Sequence, residues 1–319
     1  MNLETFESLK YKGPVAFFML LWFYKSYRFL RYDLISDEIY LKKKFPKSQG
    51  YDLNLENPKS LNEKMQWLKI NDRREISIQL ADKYGVRDFI EKHFGADYLV
   101  PLLYHTKNVN SIRPQNLPEE PFIIKVNHDS GNYQIVRNKA DIDWAKLRID
   151  IRWWLATNYF YHDREWQYKQ IRPRVIIEKL LLNREGKIPN DYKLHCINGK
   201  VAFIYVSVDR EGSNKRNIYD RNWKPLAFTF ASKPKQEKGN IRGQEIEPPP
   251  SYKQMITFAE KIAQLYTYIR VDFYDVDGKL YFGEITHHHG GGFDQFRPVE
   301  WDYYFGEKLD LYQPVLDNL

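Results

Sequence analysis

The chain has 319 residues, a formal net charge of +7 and a pI near 9.1, with 43% hydrophobic and 29% charged residues. That balance excludes a disordered or collagen-like chain, and the length is enough for two or three subdomains sharing a sizeable core. The single cysteine, Cys196, rules out an intrachain disulfide, and the basic charge suits a nucleotide, an acidic glycan or a membrane surface without selecting among them; no nucleic-acid partner is expected.

Residues 1–50 read as a basic helical segment. Within them Val15–Tyr24 is an apolar run of ten residues flanked by Lys10, Lys12, Lys25, Arg28 and Arg31. A membrane-spanning helix needs about twenty such residues, and no small-residue cleavage site follows to mark a signal peptide. Two readings stand side by side. The helix lies in a membrane interface, or it packs on the protein through Phe17, Leu20, Leu21 and Trp22, and the two patterns look alike in sequence.

Residues 51–118 continue in helical patterns. Ser60, with Glu63 three residues on, predicts a capping box opening the amphipathic helix of NEKMQWLK, and ISIQLADKYGVRDFIEKHFG is helical again. In residues 119–182, PFIIKVNHDSGNYQIV alternates like two strands joined by a polar turn. Residues 141–161 return to helix, and RVIIEKLLL is a strand. In residues 183–319, DYKLHCINGKVAFIYVSVDR is a hairpin about Asn198–Gly199. Ser232 to Ser251, rich in Lys, Gly, Glu and Pro, reads as a mobile loop. SYKQMITFAEKIAQLY is a helix, and a second hairpin, IRVDFYDVDGKLYFGEITH, follows. Antiparallel hairpins among helices make the class α+β.

Alternation places Arg270, Asp272 and Tyr274 on one face of that hairpin's first strand, and Phe282, Glu284 and Thr286 on one face of its second. Carboxylates facing the same way repel unless a cation lies between them. For the hairpin alone, pairing with Arg270 or nearby lysines is the simpler reading; Mg²⁺, which takes hard oxygen ligands and holds substrate phosphates, is the other. Upstream, Lys125 ends an apolar strand, and Ser130 and Gly131 sit in the polar loop after it. Such a loop offers backbone N–H groups to phosphates, with the lysine as a point charge. Glu178 ends a further apolar strand whose main chain can pair with the edge of a purine, and Asp191 and Lys193 follow.

In this order NEKMQWLK, VNHDSG, REWQYKQIRPRVIIEK, DYKLHCINGK, RVDFY and FGEIT resemble the ATP-grasp superfamily. Within it they resemble the TupA-like family, which is linked to teichuronopeptide and other polysaccharide gene clusters. The resemblance runs from about Asn57 to Asp302. It implies an ATP-grasp fold, in which two α+β subdomains clasp ATP, here behind a helical N-terminal region. It also implies an ATP- and Mg²⁺-dependent ligase that joins a carboxylate to an amine through an acyl-phosphate. Carried over residue by residue, Lys125 and Lys193 hold phosphates beside Ser130 and Gly131. Glu178 and the main chain of Lys179 to Leu181 bind adenine, and Asp191 lies near the ribose. Asp272 and Glu284 ligate Mg²⁺, and Arg270 stands beside the reacting carbonyl. Thr286, His289 and Gly290 occupy positions that hold asparagine, proline and glycine in the wider superfamily, and a threonine hydroxyl ligates Mg²⁺ less well than an amide carbonyl. The implied substrates are an amino acid or amine and a uronic-acid carboxylate on a sugar or cell-surface polysaccharide. The expected location is cytoplasmic, with a peripheral contact at the inner membrane face if the N-terminal helix is interfacial.

On an extended strand His287 and His289 share one side and His288 faces the other, which is not the spacing of a structural zinc site. The histidines are expected to line the acceptor pocket, binding a carboxylate or phosphate or moving a proton. Gly290 to Gly292 are expected to bring N–H groups to a developing oxyanion. Two competing readings come from other classes. Asp275–Asp277 matches the Asp-x-Asp motif with which glycosyltransferases hold a sugar nucleotide, although DVDG also has the composition of a tight turn. A non-enzymatic membrane-associated scaffold would keep the fold without binding Mg-ATP.

Overall fold

A computed structural model describes residues 8–212, 214–231 and 242–319. In chain order the elements begin with helices α1 (Pro14–Arg28), α2 (Asp37–Gln49), α3 (Leu61–Asn71), α4 (Ile76–Ala81) and α5 (Val86–Phe94). Strands β1 (Leu102–Thr106), β2 (Phe122–Val126) and β3 (Tyr133–Val136) precede helices α6 (Trp144–Ala156) and α7 (Phe160–Asp163). Strands β4 (Val175–Lys179), β5 (Asp191–Ile197), β6 (Lys200–Val208), β7 (Lys215–Tyr219) and β8 (Thr229–Ala231) lead to helix α8 (Tyr252–Ala263). Strands β9 (Tyr268–Val276), β10 (Lys279–Thr286) and β11 (Gln295–Arg297) and helix α9 (Glu300–Lys308) complete the chain. The class is α+β, as the sequence predicts.

Local chemistry explains several boundaries. The capping box forms: the Glu63 N–H donates to the Ser60 hydroxyl at 3.1 Å, and the Ser60 N–H donates back to the Glu63 carboxylate at 3.0 Å. Both expected hairpins turn on two left-handed residues, Asn198–Gly199 (φ 48°, 79°) and Asp277–Gly278 (φ 52°, 91°). This geometry matches the twist of the flanking strands. Of the loop read as mobile, residues 232–241 lie outside the described residues. The stretch just after them is pinned to β7, where Gly243 donates to Asn217 at 2.9 Å and Ile246 to the Tyr219 hydroxyl at 3.0 Å.

The chain divides into two compact units. The first comprises the described part of Met1–Tyr40 with Asp82–Tyr84 and Pro101–Leu180. Its antiparallel four-stranded sheet, in the order β1-β4-β2-β3, carries a core of Phe122, Ile124, Val175 and Ile177 packed with Leu147 and Ile151 of α6. Strict alternation on β2 sends Phe122, Ile124 and Val126 inward and leaves Lys125 on the other face.

The second unit comprises Leu41–Ala81, Gly85–Val100 and Leu181–Leu319. Its sheet is antiparallel in the order β10-β9-β5-β6-β7. One face, with Leu194, Ile204, Val206, Ile269, Val271 and Phe273, packs on Met255, Phe258, Ala259 and Ile262 of α8. Alternation puts Asp191, Lys193 and His195 of β5 and Arg270 and Asp272 of β9 on the opposite face. Part of that face is apolar and is covered by Leu61, Met65 and Leu68 of α3 and Phe305 of α9.

The second hairpin departs from simple alternation. Phe282 pairs with Phe273, but Glu284, two residues on, pairs with Asp272, one residue on. A bulge at Gly283 therefore turns Phe282 into the core and Glu284 toward Asp272, so the two do not share a face as regular pleating predicts. A Cβ at Gly283 would lie 3.0 Å from the Asp272 carbonyl oxygen, so the close approach suits a glycine.

Candidate functional site

The bulge gathers the charged side chains of the second unit. Arg270 donates from Nε and Nη2 to the two oxygens of Asp272, each at 2.7 Å, and from Nη2 to Glu284 at 2.8 Å. Lys193 donates to Asp272 at 2.8 Å and also to Asp191. The Thr286 hydroxyl lies 3.3 Å from Glu284. The two carboxylates are thus bridged by Arg270, the pairing that the hairpin alone suggests. Burial pushes the Asp272 carboxyl up, against the pull of Arg270 and Lys193. Burial alone would weaken the proton affinities of both cations. Asp272 and Glu284 more than offset this for Arg270, and Asp191 and Asp272 do so for Lys193, so both are held above their ordinary values.

The histidines do not continue the strand. Thr286 ends β10 and a tight turn spans His289–Gly292, so side alternation does not carry from His287 to His289. Arg270 donates from Nη1 to His289 Nδ1 at 2.6 Å, and His289 Nε2 lies 3.1 Å from the Asp294 carboxylate. Because arginine only donates, Nδ1 is the acceptor and the neutral ring carries its proton on Nε2. Burial and the nearby Arg270, Lys193 and Arg216 hold His289 well below its ordinary range. His287 packs edge-on against Tyr266, with ring centroids 5.0 Å apart, away from these partners. Burial takes His287 and His288 down to about 3. Burial thus disfavours the charged form of all three rings. A neutral ring can still hydrogen-bond or move a proton.

Gly290, Gly291 and Gly292 all adopt positive φ (55°, 60°, 67°). A Cβ on Gly290 would sit 2.4 Å from the Asp294 carboxyl carbon, and one on Gly292 would sit 2.4 Å from Gln66 Nε2. Three left-handed residues in succession require glycine. The expected oxyanion role fails for Gly291, whose N–H donates to the His288 carbonyl at 2.9 Å. The turn instead presents carbonyls to α3: Gln66 donates to Gly292 O at 2.6 Å, and buried Lys69 donates to Gly291 O.

In the first unit, Lys125 and Glu178 meet in an ion pair of 2.6 Å across β2 and β4. The Lys179 and Leu180 N–H groups donate to the carbonyls of Pro101 and Pro121, each at 3.0 Å. Those two donors are therefore engaged within the unit. The Lys179 side chain pairs with Glu120 at 2.9 Å, and Leu181 falls in the second unit. Beyond β2, buried Asn127 receives the Arg174 N–H at 2.7 Å and donates to Asp82 at 2.7 Å. Buried His128 meets the Thr157 carbonyl at 3.0 Å. These anchors leave Ser130 and Gly131 (φ 100°) exposed at the loop tip. Burial lifts the Asp129 carboxyl to about 6, against the Asn132 hydrogen bond.

Sequence reasoning missed Lys69, Gln66, His195, Asp294 and Asp129. Gln66 and Lys69 lie three apart on α3, a spacing that places both on one helix face, but nothing in sequence showed that face meeting a glycine turn. Asp275 and Asp277 serve the turn: Asp275 accepts from Gly278 at 2.7 Å and from the Ser251 N–H at 3.0 Å, and Asp277 accepts from the Arg184 N–H at 3.0 Å.

A sequence model for a family described as TupA-like ATPgrasp matches residues 63–310. Among solved structures the chain is similar to the D-alanine–D-alanine ligase of Helicobacter pylori, at 14% identity, 79% of this chain, 68% of that one and a TM-score of 0.39. It is similar to the D-alanine–D-alanine ligase of Bacillus anthracis at 15% identity, 65% of this chain, 56% of that one and 0.34. It is also similar to the ATP-grasp ligase PsnB complexed with a phosphomimetic variant of minimal precursor, Mg and ADP, at 13% identity, 71% of this chain, 58% of that one and 0.37. The chain spans little more than half the length of the last two. Among curated proteins nothing matches.

Proposed function

This chain belongs to the TupA-like ATP-grasp family, and on that premise we propose that it is an ATP-dependent ligase joining an amine to a carboxylate. The observation that carries the reading is the buried cluster on one sheet face of the second unit, where Arg270 and Lys193 hold Asp191, Asp272 and Glu284. Asp272 and Glu284, opposite each other in register, are hard oxygen donors, and the Thr286 hydroxyl lies beside them. This set fits Mg²⁺. When bound, the ion would neutralise charge on the transferring phosphoryl group.

The protein's own residues would then divide the work. Lys125 and Lys193 supply point charges to phosphates, with Ser130 and Gly131 at the exposed loop tip. Arg270, whose bonds to Asp272, Glu284 and His289 leave one Nη1 N–H, directs that donor and its positive charge at the charge developing on the acyl centre. Neutral His289, fixed in one tautomer by Arg270 and Asp294, orients that guanidinium. A carboxylate oxygen attacks the γ-phosphorus and ADP leaves; the amine nitrogen attacks the acyl carbon, phosphate leaves, and the amine gives up a proton.

We assign the carboxylate to a uronic acid on a sugar or cell-surface polysaccharide, and the amine to an amino acid or related amine. The setting would be the cytoplasmic side, at the inner face of the membrane. The test is ADP release across amino acids paired with uronic-acid sugars and oligosaccharides, with mass spectrometry of the product. ADP release matched by loss of one water in the combined mass supports the ligase. Consumption of a sugar nucleotide with ATP intact would replace it with a glycosyltransferase.

A further inference from the structure

Helix α1 and the π-helical turn after it, Phe29–Asp33, run unbroken from Pro14 to Asp33, a length of about 30 Å at 1.5 Å per residue. One face seats the helix on the first unit. Leu20 is 2% exposed, and Phe17 and Tyr24 lie against Trp153 of α6 with ring centroids 6.3 and 5.3 Å apart. The Arg28 guanidinium stacks 3.4 Å over the Tyr161 ring. The opposite face is also apolar and, among the described residues, exposed. Val15, Phe18, Met19, Trp22, Phe29 and Leu30 are each more than half exposed. Spaced by threes, fours and sevens, they form one stripe. Folded chains seldom leave such a stripe without a partner.

Charge selects the partner. Residues 8–32 contain Lys10, Lys12, Lys25, Arg28 and Arg31 and no acidic side chain. Lys10 is paired with Asp150 at 2.8 Å, while Lys12, Lys25 and Arg31 are exposed. Two copies meeting through this stripe would bring like-charged residues together, whereas an anionic lipid surface offers both an apolar layer and opposite charge. No described helix is long and apolar enough to cross a membrane. A cleft of 360 Å³ lined by Lys25, Arg28, Asp33, Thr157 and Asn158 opens beside the helix, large enough for a phosphate headgroup.

We propose that this face is a membrane-docking surface. Helix α1 lies in the plane of an anionic bilayer, with Phe18, Trp22 and Phe29 at the headgroup–acyl boundary and Lys12, Lys25 and Arg31 against the headgroups. The surface uses none of the residues assigned to the ligase reaction, so the two readings fail separately.

The test is co-sedimentation of the full chain with vesicles of phosphatidylcholine, alone or with phosphatidylglycerol added. Three basic residues near such a surface predict binding about 100-fold tighter to the anionic vesicles. That preference should vanish at about 1 M salt, where the screening length is about 3 Å. Phe18→Glu combined with Trp22→Glu should abolish pelleting while leaving the melting temperature unchanged. Absence of the full chain from the anionic pellet at low salt overturns the proposal, as does undiminished pelleting of the double variant. A dimer that Trp22→Glu dissolves, in a protein that does not pellet, would make the face a contact between copies instead.

Discussion

Replacing Asp272 with asparagine keeps the shape of the side chain and removes the charge on which two buried cations converge. Asp272 is 1% exposed and accepts from Arg270 twice at 2.7 Å and from Lys193 at 2.8 Å. In the variant one oxygen becomes an amide nitrogen facing groups that only donate. Removing one partner of a buried pair costs about 3–5 kcal/mol. At about 2–4 °C per kcal/mol for a unit of this size, the melting temperature should fall by about 6–20 °C. Glu284→Gln should behave differently. The Glu284 side chain is 31% exposed and accepts from Arg270 at 2.8 Å; weakening one partly solvated contact costs about 1 kcal/mol, or about 2–4 °C. Both variants lose a hard oxygen donor, so both should lose ATP-dependent turnover. Scanning fluorimetry and ADP release on the same samples separate structural from catalytic loss. Equal melting temperatures for the two variants, or full turnover in either, would rule out these roles for Asp272 and Glu284.

Lys125→Met and Lys193→Met each remove a charge-assisted contact, so Mg-ATP affinity should fall about 10- to 150-fold by calorimetry; unchanged binding in both would remove these lysines from the site. Gly292→Ala places a Cβ 2.4 Å from Gln66 Nε2 and 2.9 Å from Met65 Cβ at φ 67°. Strain and overpacking together should destabilise the chain by about 2 kcal/mol or more, and a wild-type melting temperature would contradict this. Burial lifts the Asp302 carboxyl to about 6, against hydrogen bonds from Asn62. The folded chain then binds that proton more tightly than the unfolded one. Wild type should therefore lose about 3 kcal/mol relative to Asp302→Asn as pH rises from about 4 through 6. Denaturant titrations across that window check it, and a pH-independent difference would contradict it. His287 and His288, held near 3, act in the opposite sense. The unfolded chain takes up protons below about pH 6.5 that the fold refuses, so replacing either with glutamine should reduce the loss of stability on acidification.

What was legible in the sequence is what local chemistry dictates. The Ser60–Glu63 box, the two hairpin turns and the pairing of Arg270 with Asp272 on one strand face all follow from spacing within a few residues. The bulge at Gly283 was not legible, because period-two reasoning assumes an unbroken ladder, and the bulge alone brings Glu284 opposite Asp272. The histidine cluster differs from the expectation for a related reason: the ladder ends at Thr286 and a tight turn begins at His289, so His287 and His289 lie in different surroundings. Lys69, Gln66 and Asp294 became visible only with tertiary contacts, since their partners are the glycine turn and His289 rather than sequence neighbours. At α1 the two readings were not exclusive. Leu20 packs inward as the structural reading expects, while Trp22, assigned to the same packed face, points to solvent.

In the proposed reaction a carboxylate is activated by phosphoryl transfer before an amine captures it. Following ¹⁸O from a labelled carboxylate substrate tests this most directly, with ATP, Mg²⁺ and amine supplied and the released phosphate analysed by mass spectrometry. Activation through an acyl-phosphate predicts one ¹⁸O in the phosphate and one ¹⁸O lost from the amide product. Phosphate free of label, beside a product that keeps both labelled oxygens, would contradict the account.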